Sequence, residues 1–143
     1  MAEVWVVDDN DNSRDTVVDA INDVAPDAIV KTFETVRIAQ REVHGPDVCV
    51  IDISAVCGLG QAYMTGEFLW PFASKFPGAD LIVLSSLGSQ YEPEIRACFD
   101  DHNVSTARLF VCPAGNQMIP TFERRLRECL GLDVARDSGY ADG

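Results

Sequence analysis

Val4-Trp5-Val6-Val7-Asp8-Asp9-Asn10 carries four apolar residues straight into two adjacent carboxylates, and Val48-Cys49-Val50-Ile51-Asp52 repeats the plan with one. Runs that are apolar at every position and rich in β-branched residues belong to strands covered on both faces, as in a parallel sheet. Three more runs of this kind follow: Ala28–Val30, Leu81–Leu84 and Leu109–Val111. Between the runs, apolar residues recur at helical spacing. Val17, Val18, Ile21, Val24 and Ala25 form the first stripe, with Asn12 and Asp15 placed to cap it. Val36, Ala39 and Val43 form the second, and Phe68, Leu69, Phe72 and Phe76, stopped by Pro77-Gly78, the third. Tyr91, Ile95, Cys98 and Phe99 form the fourth; Phe122, Leu126, Cys129 and Leu130, ended by Gly131, form the fifth. Strand and helix alternate five times, which predicts a three-layer α/β domain around a parallel sheet. In such a domain the loops after the strand C-termini gather on one edge and carry function.

The chain has 143 residues, enough for one domain with its own core, and no linker divides it. Residues 1–131 are expected to form that domain, and the polar, Gly-containing stretch 132–143 a flexible tail. A net charge of −12 with 47% hydrophobic residues excludes intrinsic disorder and argues against binding nucleic acid, whose phosphates it would repel. No run reaches the ~18–20 apolar residues that span a bilayer, so no membrane association is expected. Met1-Ala2-Glu3 lacks the basic start of a signal peptide. The five cysteines, Cys49, Cys57, Cys98, Cys112 and Cys129, form no C-x-x-C pair and read as reduced thiols of a cytoplasmic protein. With only two histidines, His44 and His102, a zinc site is not expected, and both read as solvated loop residues.

If strands one and three are neighbours, Asp8, Asp9 and Asp52 meet at one edge of the sheet. Any single Asp at a strand end reads as a turn or capping residue. Three together cannot all stay ionised without a counter-charge. A hard divalent cation such as Mg²⁺, which takes one or two carboxylates with waters and phosphate oxygens, supplies it. Ser85-Ser86 after the fourth strand adds hydroxyls to the same edge.

Val6-Val7-Asp8-Asp9-Asn10, Pro46-Asp47-Val48-Cys49-Val50-Ile51-Asp52-Ile53 and Gly66-Glu67-Phe68-Leu69 are followed by Leu81-Ile82-Val83-Leu84-Ser85-Ser86 and Phe110-Val111-Cys112-Pro113. In this order, from about Val4 to Leu130, the chain resembles the CheY-like receiver domain of bacterial response regulators. The resemblance implies a flavodoxin-like three-layer sandwich, with a five-stranded parallel sheet of order 2-1-3-4-5 and five helices. It implies Asp52 as phosphoacceptor, Asp8 and Asp9 with Asp52 as Mg²⁺ ligands, and Ser85 as donor to a phosphoryl oxygen. It also implies a histidine kinase or phosphotransfer protein upstream and a protein partner downstream. The face of helix four, strand five and helix five is then the expected partner or homodimer surface, with Leu109, Phe110, Arg124 and Arg125 on it. The expected role is a stand-alone receiver of a two-component phosphorelay, a signalling module and not an enzyme.

The sequence departs from the family in three places. Cys112 stands where the family has a lysine, and a thiol cannot supply that cation. Lost charge-assisted hydrogen bonding of roughly 1.5–3 kcal/mol would weaken phosphoryl stabilisation, while the nucleophile and metal ligands remain. Cys112 itself reads as a small buried thiol before a redox-sensitive one. Leu109, with Phe110 beside it, stands where an output aromatic is usual. Residues 53–66 are longer than in a typical receiver by about six residues, a lid, partner surface or tolerated insertion. Cys112 in the lysine position supports an alternative, a pseudo-receiver acting as a phosphorylation-independent interaction module, while the intact Asp8, Asp9, Asp52 and Ser85 argue against it. A small phosphatase on the same fold lacks a general acid. Gly58-Leu59-Gly60 is not a dinucleotide fingerprint, because Tyr63 fills its third glycine position.

Overall fold

Alternation along each strand sorts the apolar residues onto two sides. Trp5, Val7, Cys49, Ile51, Leu81, Val83 and Leu109 face one way, into a core shared with Val36, Leu69, Phe72, Ile95 and Phe99. Val4, Val6, Val48, Val50, Ile82 and Leu84 face the other way, onto Val17, Ile21, Phe122 and Leu126. Both faces of the sheet are therefore covered, as the continuous apolar runs require.

The computed structural model describes residues 2–52, 65–84, 91–112 and 115–132. The strands are β1 (Glu3–Val7), β2 (Ile29–Phe33), β3 (Val48–Asp52), β4 (Asp80–Leu84) and β5 (Leu109–Val111). The helices are α1 (Asp11–Val24), α2 (Val36–Ala39), α3 (Thr65–Lys75), α4 (Glu92–Asp101) and α5 (Met118–Cys129), the last preceded by a 3₁₀ turn over Gly115–Gln117. All strand pairs are parallel and the sheet order is β2-β1-β3-β4-β5. Helices α2, α3 and α4 cover one face and α1 and α5 the other. This is the flavodoxin-like sandwich that the resemblance implied. No helix among the described residues is long and apolar enough to cross a membrane. The tail from residue 133 onward lies outside the described residues.

Local readings needed correction in three places. β2 runs to Phe33, past the Ala28–Val30 run, because an edge strand has one sheet neighbour and accepts the exposed Lys31 and Thr32. Val43 does not join α2, which ends after one turn, and its side chain is exposed. The cap of α1 is Asn10, not Asn12: the Asn10 side chain accepts the Ser13 N–H at 2.9 Å.

Two features of the helical layers were not visible in the periodicity. Along α1, Asp11, Asp15, Asp19 and Asp23 stand one turn apart, all exposed, with Arg14 paired to Asp11. Across the other face, α3 and α4 meet at backbone distance through Gly66. A Cβ there would stand 2.7 Å from Cys98 Cβ and 3.2 Å from Ile95 Cα. Beside this contact the Cys98 thiol donates to Glu67 at 3.1 Å. His102, expected to be merely solvated, stacks on Trp70 of α3 with centroids 3.9 Å apart, its Nδ1 2.9 Å from the Cys98 carbonyl.

Candidate functional site

The register of the central strands builds the site. Val7 of β1 lies beside Ile51 of β3, so Asp8, just past β1, and Asp52, the last residue of β3 and still paired with Leu84 of β4, stand at the same edge of the sheet. The Asp8 N–H is held by the Phe33 carbonyl at the end of β2, at 2.9 Å. Asp9 follows at once, and one carboxylate oxygen each of Asp8, Asp9 and Asp52 lies within 4.8 Å of the others. Asp8 is buried, Asp52 half-buried and Asp9 exposed. The three predicted metal ligands are thus brought together.

Their electrostatics follow from that crowding. Burial, then the charges of Asp52 and Asp9 and a hydrogen bond to Asp52, push the Asp8 carboxyl up to about 6, against the opposing N–H of Asn10. Among the described residues, no cation is among the groups acting on Asp8. Three hard oxygen donors converging within this distance fit a hard divalent cation, and Asp8, Asp9 and Asp52 are the residues that would hold it.

Solved structures with this arrangement of strands and helices place the fold. The chain is similar to the phosphorylated cyanobacterial phytochrome response regulator RcpA, at 18% identity over 90% of this chain and 94% of that one, TM-score 0.65. It is similar to the receiver domain of the sensor histidine kinase PA1611 from Pseudomonas aeruginosa, solved with magnesium coordinated in its active-site cleft, at 18% identity over 91% of this chain and 98% of that one, TM-score 0.59. The fold is that of a response-regulator receiver domain. A candidate pilus assembly protein, CpaE, from Burkholderia thailandensis shares it at 16% identity over 92% of this chain and 99% of that one, TM-score 0.63. No family model matches the sequence, and no curated protein matches it.

The receiver fold frames the remaining predicted residues. Ser85 and most of the long segment 53–66 lie outside the described residues. Cys112 follows β5, its N–H donating to the Val83 carbonyl at 2.9 Å. Its side chain is 1% exposed, among the residues between the sheet, α1 and α5. Burial raises the thiol to about 11 against the opposing charge of Arg125, so it is neutral at physiological pH. A neutral, enclosed thiol is a packing group, not a reactive one.

Leu109, expected on the partner surface, is instead buried against the α3–α4 layer, because odd positions of β5 face that core. Phe110 faces the other way and is half-buried, with the Arg125 guanidinium 4.9 Å from its ring centroid. Arg125 also pairs with Glu128 at 3.1 Å, and Arg124 is exposed on the same helix. The β5 edge is closed from the α4 side by Arg96, which donates to the Leu109 carbonyl at 3.2 Å. Asn10 is the site residue that sequence reasoning missed. Its place directly after the paired aspartates, inside capping distance of α1, was the available signal.

Proposed function

We propose that this chain is a phosphoryl-accepting receiver of a two-component relay, with Asp52 as phosphoacceptor and a divalent cation, Mg²⁺, held by Asp8, Asp9 and Asp52. The observation that carries the reading is the convergence of these carboxylates at the C-terminal edge of β1 and β3 in a receiver fold. An Asp52 oxygen bonds to phosphorus as the bond from phosphorus to a donor histidine nitrogen breaks, the electron pair staying on that nitrogen. Bound Mg²⁺ would offset charge on the phosphoryl oxygens. Asp8, fixed by Phe33 and Asn10, and the β3 terminus keep the nucleophile aimed at the donor. The Ser85 hydroxyl would donate to a phosphoryl oxygen, a hydrogen bond present only in the modified state, which can bias the surface of α4, β5 and α5. Phe110, Arg124 and Arg125 are the residues offered there to a downstream protein or a second copy. The donor is a histidine kinase or phosphotransfer protein, and the setting the cytoplasm.

A pseudo-receiver that binds partners without phosphate is the second reading. It is favoured by Cys112, which leaves the family lysine's cation missing and turns its own side chain into the core. Incubation with acetyl phosphate or phosphoramidate and Mg²⁺, followed by intact-protein mass spectrometry, separates the two. The receiver reading expects one phosphoryl adduct, absent in Asp52→Asn. No adduct with either donor across pH 6–8 refutes it in favour of the pseudo-receiver.

A further inference from the structure

Because all strands run parallel, the N-terminal ends of β4 and β5 lie at the edge of the sheet opposite the three carboxylates. There the end of α3, the end of α4 and the chain entering β5 enclose a cleft of about 360 Å³, near the small end of the range for small-molecule sites. Its floor is apolar: Leu81, Phe99 and Leu109, all buried, with Ala73 and Pro77 beside them. Its walls are braced. Asn103, in the left-handed region at φ 57°, turns the chain out of α4, and its N–H donates to the Asp100 carbonyl at 3.1 Å. The Val104 N–H donates to the Phe99 carbonyl at 2.9 Å, and Ser105 Oγ accepts the Ala107 N–H at 3.1 Å. The Leu81 N–H donates to the Arg108 carbonyl at 2.8 Å. These main-chain groups are engaged within the walls, so recognition of a ligand falls to side chains.

Ser74, Asn103, Ser105 and Arg108 supply the polar side chains, and among the described residues Arg108 is the one charged group on the lining. With 23 acidic residues in the chain against 11 basic ones, a cation is not the charge that composition favours there. The guanidinium donates to Asp80 at 3.2 Å, and its side chain is 56% exposed. A planar fork of five N–H donors that gives one to Asp80 keeps others for an incoming acceptor. An inorganic anion on Arg108 would leave the apolar floor wet, and a wholly apolar ligand would leave the guanidinium without a partner from the ligand. We propose that this cleft binds a small carboxylate with a ring-sized apolar body, the body resting on Leu81, Phe99 and Leu109 and the carboxylate meeting Arg108. The concave shape and the volume suit a free small molecule. Lying at the opposite edge of the sheet, the cleft stands independently of the metal and phosphoryl readings of Asp8, Asp9 and Asp52. Its occupant would touch α3, α4 and β5 together, giving the chain a ligand input besides phosphate.

Titration of the full chain with phenylacetate and indole-3-acetate, each compared with its primary amide and followed by proton–nitrogen correlation spectra, tests the proposal. Both carboxylates are expected to give saturable shifts at Asn103, Val104, Ala107 and Leu109, with a Kd of about 1 mM for probes of this size. The amides keep the ring and lose the charge, and are expected to bind about tenfold more weakly. Arg108→Gln should bring the carboxylates down to the level of the amides. Arg108→Lys, which keeps a cation beside Asp80, should retain part of the difference. The comparison of acid with amide in wild type needs no variant, so a fold disturbed by loss of the Asp80 pair does not obscure the answer. No saturable shift by about 10 mM, shifts centred away from this cleft, or amides that bind as tightly as the acids each overturn the proposal. A folded Arg108→Gln that still prefers the carboxylates tenfold overturns it as well.

Discussion

Replacing Asp8 by Asn should stabilise the protein when no divalent cation is present. Asp8 titrates near 6 in the folded chain against 3.8 ordinarily, because it is buried between two other carboxylates. A folded-state value above the unfolded one means that the native state holds the proton more tightly. Stability from this group is therefore full below pH 4 and lost as pH rises through 6. A shift of about two units corresponds to at most about 3 kcal/mol, because the crowded carboxylates include the exposed Asp9 and solvent there screens part of the repulsion. Asn keeps an oxygen for the Asn10 N–H and adds a donor toward Asp52 without the charge. In EDTA at pH 7.5, Asp8→Asn should melt above wild type by up to about 10 °C, given roughly 3–4 °C per kcal/mol at this chain length. At pH 4.5 the gap should shrink to about a third. Saturating Mg²⁺ should close it from the other side, since a ligand at 100 times its Kd adds about 2.7 kcal/mol to wild type alone. Scanning calorimetry over pH 4–8, with and without Mg²⁺, measures all three. A variant no more stable than wild type at pH 7.5 in EDTA, or a gap that ignores pH, would refute the account of Asp8 as a carboxyl whose charge is disfavoured by burial and acidic neighbours.

Gly66→Ala should cost about 1–3 kcal/mol in urea unfolding, because its Cβ would overlap the Cys98 side chain, and Cys98→Gly in the same chain should recover part of it. The Trp70–His102 stack should appear as a coupling of about 0.5–1.5 kcal/mol in a double-mutant cycle of Trp70→Leu and His102→Ala. No coupling would mean that the two rings merely lie near one another. Brief alkylation at pH 8 with peptide-level mass spectrometry should leave Cys49 and Cys112 unmodified in the native protein, since both are buried and their thiols are held neutral. Rapid labelling of Cys112 would restore the case for a redox role.

The strands that form the sheet's centre were legible because burial on both faces leaves no polar position to obscure them. Strand order was not written in the residues themselves, since five similar apolar runs are compatible with several arrangements; the resemblance supplied it. The ends of β2 were blurred by its place at the edge, where Lys31 and Thr32 read as loop residues. Choosing the α1 cap failed for a different reason. Asn10, Asp11, Asn12 and Ser13 can all cap a helix, and only the end of β1 at Val7 decides among them. Leu109 was recoverable in principle, because alternation puts it on the opposite face from Phe110. The pairing of Trp70 with His102 joins residues on separate helices and has no local signal at all. At the site, Asp8, Asp9 and Asp52 followed from strand ends that share a register, whereas the Asn10 turn depended on side-chain directions.

The row of aspartates along α1 gives monovalent salt two opposite effects. Like charges one turn apart cost a few tenths of a kcal/mol per pair, and Asp23 also opposes the negative end of the helix dipole. Counterions relieve both costs, so ordinary salt strengthens the helix that begins at Asn10. The same counterions would weaken the long-range field drawing a dication toward the proposed site at Asp8 and Asp9. The ionic medium would thus firm the scaffold while slowing capture of the proposed cation, and the chain's excess of negative charge would make background salt a control on how readily that site fills.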